Sequence, residues 1–260
     1  MTIKFIYSVI SLVLILFSPI LFCVYAKHKT VDISVWDIVV GVVVGFLCKH
    51  VIVNYLISFL SKNKMYLSLI STTKGYLLIY VLLTSLCLFF GLLILNKFYY
   101  QDKYDLNNSY GLCIGMGIAD ILNTTLMAAV SNLVYIIQIQ KGTLYSNLLN
   151  TVTANQANDI VSMYNNFPSS YFIYVGIITL ALIASNYLIS VLMLNMKTDG
   201  IKASITIIFT ISLFTLVYYF TDPTKMTYAN IILLVFMGMQ ILFAELNIRM
   251  IKIEVDGGAK

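Results

Sequence analysis

The chain has 260 residues, 60% of them hydrophobic and 10% charged, with a formal net charge of +5. A mean hydropathy of +0.91 lies far outside soluble globular usage, so a water-soluble enzyme is excluded. No basic and aromatic patch supports a nucleic-acid surface, and the excess lysines suit loops facing anionic lipid headgroups.

Apolar runs of about 20 residues, the length needed to cross a bilayer, lie near 5–26, 35–61, 75–99, 110–139, 171–196, 202–221 and 228–250. The expected fold is an all-α polytopic bundle of about seven transmembrane helices, with residues 1–260 forming a single membrane-embedded domain. The first run follows Lys4 as a secretory signal would, but no small-x-small cleavage site follows it. Phe22 before Cys23 argues against a lipoprotein signal. A retained first helix is expected, kinked at Pro19.

The second run holds Lys49 and His50 near its centre, preceded by Gly41-x-x-x-Gly45. Lys49 is the candidate to neutralise an acid elsewhere in the membrane. All four cysteines, Cys23, Cys48, Cys87 and Cys113, sit inside apolar runs without metal-ligand spacing, and with only His28 and His50 available a multi-imidazole zinc site is hard to assemble. No cofactor or metal is therefore expected.

The fourth run carries Asp120, whose burial at mid-membrane depth costs roughly 2.5–3.5 kcal/mol. Asp120, Asn123, Thr124, Met127 and Ser131 recur at helical spacing, and Gly111, Gly115 and Gly117 thin the helix before them. That face is expected to point into the bundle, either as interhelical packing glue or as the lining of a polar cavity, with Asp120, Asn123, Lys49, His50 and Asn186 as binding candidates.

Two connections are long, Ser61–Lys74 and Gln140–Ser170. The second (140–170) is rich in Asn and Ser but carries Leu148, Leu149, Ile160 and Val161, which suits an interfacial or re-entrant segment anchored by Tyr164 and Tyr171. In the last run Glu245 and Arg249 have the i, i+4 spacing of a helical ion pair. An outside amino terminus puts nine basic residues inside (Lys27, Lys29, Lys97, Lys103, Lys197, Lys202, Arg249, Lys252, Lys260) against six outside (Lys4, Lys62, Lys64, Lys74, Lys141, Lys225). This favours amino terminus out and carboxyl terminus in.

Cys113-Ile-Gly-Met-Gly-Ile-Ala-Asp120, followed by Ser131-Asn-Leu-Val134 and Lys141-Gly-Thr-Leu144, resembles the bacterial YhfC-type glutamic intramembrane peptidases, relatives of the CPBP group. The resemblance runs from about Val35 to Tyr219 and implies an intramembrane-peptidase-like bundle in a bacterial cytoplasmic membrane. It also implies where catalytic groups would fall. The family's Gly-x-Gly-His-Gly-Gly-x-Glu motif puts its histidine on Met116 and leaves the acid as Asp120. Its Glu-Glu-x-x-Arg motif falls on Leu88, Phe89 and Leu92, its His-x-x-x-Ser histidine on Asn186, and a further histidine and acid on Thr210 and Phe214.

Leu, Phe, Met and Thr cannot transfer protons as Glu and His do. The resemblance therefore implies a degenerate member, a pseudoprotease that binds or regulates a hydrophobic peptide or partner membrane protein, in peptide export, bacteriocin handling or immunity. Two alternatives stay open. One is a residually active peptidase using Asp120 with His50; the other is a transporter component with Lys49, Asp120 and Asn123 at a mid-membrane polar site. The oligomeric state is not legible.

Overall fold

The computed structural model describes residues 2–63, 66–67, 72–101, 103–197, 199–220 and 226–257. Of the basic residues weighed for orientation, Lys64, Lys225 and Lys260 lie outside the described residues. Among those described, seven helical stretches are long and apolar enough to cross a membrane: Ile3–His28, Val35–Leu60, Lys74–Tyr99, Leu106–Gln140, Tyr171–Met196, Gly200–Val217 and Tyr228–Ile251.

Helix α1 (Thr2–His28) runs through Pro19. Proline has no N–H to give the carbonyl four residues back, which is Ile15. The Ser18 hydroxyl donates to that oxygen at 2.9 Å, so the buried carbonyl is not left unpaired. The second span is α2 (Val35–Phe46), a π-helical turn Leu47–Ile52, and α3 (Val53–Leu60). The third is α4 (Thr73–Ile94) with a π turn Leu95–Tyr99, and the fourth is α5 (Leu106–Asp120), a further π turn Ile121–Thr125, and α6 (Leu126–Gln140). Helices α9 (Tyr171–Leu192), α10 (Gly200–Phe220) and α11 (Met226–Gly257) follow the connection.

Helix α9 is the central pillar. It packs on α1, α5, α10 and α11 and is buried along most of its length. Gly176 in α9 lets α1 approach so closely that its N–H donates to Ser11 Oγ at 2.8 Å. The closest helix pair is α2 against α5. A Cβ on Gly115 would stand 2.1 Å from the Ile38 carbonyl oxygen, and one on Gly41 would stand 2.4 Å from that of Leu112. The two small-residue motifs thus face one another, the arrangement that permits backbone contact between membrane helices. Outward-facing residues such as Leu16, Phe209 and Leu242 are exposed and apolar, as a lipid-facing surface requires.

The long 140–170 connection folds into two short helices, α7 (Leu144–Leu148) and α8 (Ala154–Asn166). Thr153 and Gln156 form a reciprocal capping box at the start of α8. At its end Lys4 Nζ donates to the carbonyls of Tyr164 and Asn165 at 3.2 and 2.8 Å, capping orphan oxygens with a positive charge. Tyr164, expected at the headgroups, is instead buried between Ile136 and Phe172, and its hydroxyl donates to Asn132 Oδ1 at 2.8 Å. Burial pushes the Tyr164 hydroxyl's pKa up, so it stays a donor. Tyr164→Phe should cost about 1–3 kcal/mol by leaving Asn132 Oδ1 buried without this partner. A thermal melt in detergent that leaves the midpoint unchanged would refute this account of the hairpin's anchorage.

Glu245 does not pair with Arg249. Its Oε2 accepts from Lys29 Nζ at 2.8 Å, and its Oε1 accepts from the hydroxyls of Tyr25 and Tyr187. Tyr187 in turn shares a 2.8 Å hydrogen bond with Tyr110. Arg249 is exposed. The physical reason is convergence: α1, the turn after it and α9 bring three donors to this carboxylate on α11, and together they outcompete a solvated i, i+4 pair. Glu245→Ala strands three donors, two of them on buried or half-buried tyrosines. We expect a loss of about 2–3 kcal/mol, read as earlier unfolding, whereas Arg249→Ala should be nearly neutral.

Candidate functional site: a mid-membrane polar cavity

Two π turns meet at the centre of the bundle. A π turn inserts one extra residue into a helix and rotates everything after it, and such turns recur at functional sites. The first, Leu47–Ile52, carries Lys49 and His50; the second begins directly after Asp120. The glycine approach of α2 to α5 sets their spacing. A Cβ on Gly45 would come 3.1 Å from Ala119 Cβ, so Lys49, one turn beyond Gly45, is delivered to Asp120, the neighbour of Ala119.

Lys49 Nζ donates to Asp120 Oδ2 at 2.8 Å and to Asn186 Oδ1 at 2.8 Å. Asn186 Nδ2 donates to the same Asp120 oxygen at 2.9 Å, closing a three-membered ring. Asn186 is 0% exposed and Asp120 3%. Two charges taken from water into such a site are tolerated only when paired and hydrogen-bonded, and the asparagine supplies an acceptor for one ion and a donor for the other. The expectation that Lys49 neutralises Asp120 holds in this geometry. The lysine turns inward rather than snorkelling towards the headgroups.

His50 Nε2 stands 3.7 Å from Asp120 Oδ1, beyond hydrogen-bond length. It is a buried nitrogen with no hydrogen-bond partner among the described residues. Asp120 and His50 are therefore adjacent without being engaged.

A cavity of about 130 Å³ opens beside this ring, lined on its polar side by Lys49, His50, Asp120, Thr84, Ser185 and Thr215. Leu88, Leu182, Ile189, Ile211 and Phe214 form its apolar wall. At roughly 30 Å³ per water this is room for about four waters or one medium side chain. Thr84 Oγ1 is buried there with no hydrogen-bond partner among the described residues.

The positions singled out in the sequence separate cleanly. Lys49, His50, Leu88, Asp120 and Asn186 line the cavity, as does Phe214. Phe89, Leu92 and Met116 are packed in the surrounding core, and Thr210 is half-buried away from the lining. Asn123 does not join the site: it is exposed, as are Ser131 and Met127, the last by 65%. The π turn Ile121–Thr125 is the cause, since the extra residue shifts the inward stripe to Ile121, Thr125, Ala129, Asn132 and Ile136. Thr124 touches the cavity but spends its hydroxyl on the Asp120 carbonyl at 2.6 Å. The hydroxyls of Thr84, Ser185 and Thr215 also line the cavity. Isolated Ser and Thr in apolar helices most often bond their own backbone, as Thr215 does to the Ile211 carbonyl, so spacing alone carries no signal for them.

No curated protein and no solved structure matches the chain. A family model described as YhfC intramembrane metalloprotease matches residues 13–242. That description implies a metal, which the described residues do not fit. Catalytic zinc takes three protein ligands, whereas no group of three or more His, Cys, Asp and Glu among the described residues could hold an ion. At Asp120 only His50 adds a metal-binding side chain, and the ammonium of Lys49 already occupies one carboxylate oxygen. With this match over most of its length, this integral membrane protein belongs to the YhfC family.

Proposed function

We propose that this chain is a non-catalytic YhfC-family protein whose cavity receives a side chain from a hydrophobic peptide or from a partner membrane helix. The observation that carries the reading is the lining itself. Leu88, Asn186 and Phe214, where the resemblance places an acid, a histidine and an acid, surround the cavity, and the remaining acid, Asp120, is tied to Lys49 and Asn186. Hydrolysis needs a base, an acid and an oxyanion donor arranged around water. Binding needs only a concave, mainly apolar site with a few oriented polar groups, and that is what remains. Thr84 Oγ1 and one oxygen of Asp120 offer a donor and an acceptor to an incoming backbone.

The hydrolytic alternative draws on the 3.7 Å approach of His50 to Asp120, and the ring around Asp120 Oδ2 weighs against it. The same reading places the protein in a bacterial cytoplasmic membrane with its amino terminus outside and the 140–170 helices at the interface. Reporter fusions at the carboxyl terminus, active only when cytoplasmic, test that orientation.

A photo-crosslinking residue at Leu88 or Ile211 tests the binding itself. Adducts to another polypeptide from these positions, but not from lipid-facing Phe209, are expected. Adducts only to lipid or within the chain would refute the reading.

A further inference from the structure

We infer that Lys49 is the built-in cation of this site: its ammonium fills the position between Asp120 and Asn186 that a metal ion would take, and the folded protein stands without a metal. The hydrogen bonds carry this. Both oxygens, Asp120 Oδ2 and Asn186 Oδ1, lie 2.8 Å from Nζ, the length of charge-assisted N–H···O bonds, so each already accepts from the ammonium. The Asn186 amide closes the ring on the carboxylate at 2.9 Å, so acceptor and donor faces are both committed.

The site is also walled for a fixed cation. The side chains of Lys49 and Asp120 are 13% and 5% exposed, and the π turn of Leu47–Ile52 together with the Gly45 approach holds the lysine in place. The remaining pair of ligand atoms, Asp120 Oδ1 and His50 Nε2, lies beside the Lys49 ammonium. A divalent ion there would be repelled by Lys49 and would have only two protein ligands. The inference goes beyond the binding role and is independent of it, because its readouts need no peptide.

The test uses the full chain purified in mild detergent without chelator. Metal content by elemental mass spectrometry should be well below one equivalent, and EDTA should leave the melting temperature unchanged. Lys49→Met and Asp120→Asn should each lower it by roughly 10 °C, since each leaves a buried charge alone. The double variant should regain most of that loss. Lys49→Arg, which keeps the charge, covers the case in which Lys49→Met does not accumulate: accumulation of the Arg variant and of the double variant is then expected. One equivalent of zinc that Asp120→Asn removes would overturn the inference. So would an EDTA-sensitive melt, singles as stable as the parent protein, or a double variant no better than the singles.

Discussion

Gly115→Leu should separate α2 from α5 and abolish stable expression of the bundle, and even Gly115→Ala should be severely destabilising. A Cβ at this position would lie 2.1 Å from the Ile38 carbonyl oxygen and 2.7 Å from Gly41 Cα. Both are backbone atoms, so no side chain can swing aside. Overpacking of a tight core costs about 1–3 kcal/mol and more when the backbone must move, and here the helix pair also sets the distance between Lys49 and Asp120. A loss above about 3 kcal/mol is expected for Ala. Gly238 is the internal control, since a Cβ there meets nothing within 4 Å; Gly238→Ala should be neutral or slightly stabilising through better helix propensity. The comparison is read in one detergent by scanning fluorimetry and by expression level. Equal stability of the two alanine variants would mean that α2 and α5 are not in backbone contact.

Asn186→Leu should be the most destabilising single change at the cavity among those that leave both charges in place. It removes the acceptor for Lys49 and a donor to Asp120 while keeping a similar side-chain volume. Hydrogen bonds to charged groups contribute about 1.5–3 kcal/mol each, and losses within one network do not add fully, so about 3 kcal/mol is expected. Asn123→Leu makes the opposite statement. Asn123 is exposed on the far side of the π turn, and its replacement by an apolar residue should change stability by less than about 0.5 kcal/mol. If Asn123 proved the costlier of the two, the rotation introduced by Ile121–Thr125 would be wrong.

The contrast between these two asparagines shows which parts of the molecule the sequence discloses. Apolar runs long enough to cross a bilayer are unambiguous, so the seven spans are legible. Charges are so scarce inside them that Lys49 and Asp120 could be matched without any structure. Asn186 became a candidate only through the family resemblance, because nothing in Asn186-Tyr-Leu-Ile-Ser190 distinguishes it from packing.

Regular helical spacing put Asn123, Met127 and Ser131 on the face of Asp120, and a π turn leaves no mark that a 3.6-residue period can detect. Glu245 illustrates the other limit. Arg249 is its nearest cation along the chain, but Lys29 is nearest in space, and only the packing of α1 and α11 on α9 brings it there.

In the proposed non-catalytic role this YhfC-family bundle works without groups that move protons, and Asp120 is a structural charge. The most direct measurement is hydrolysis of transmembrane test substrates by the purified protein in liposomes, followed by mass spectrometry of the products, with Asp120→Asn in parallel. The account predicts no cleavage above the empty-liposome background from either protein. Cleavage by the parent protein that disappears in Asp120→Asn would contradict it.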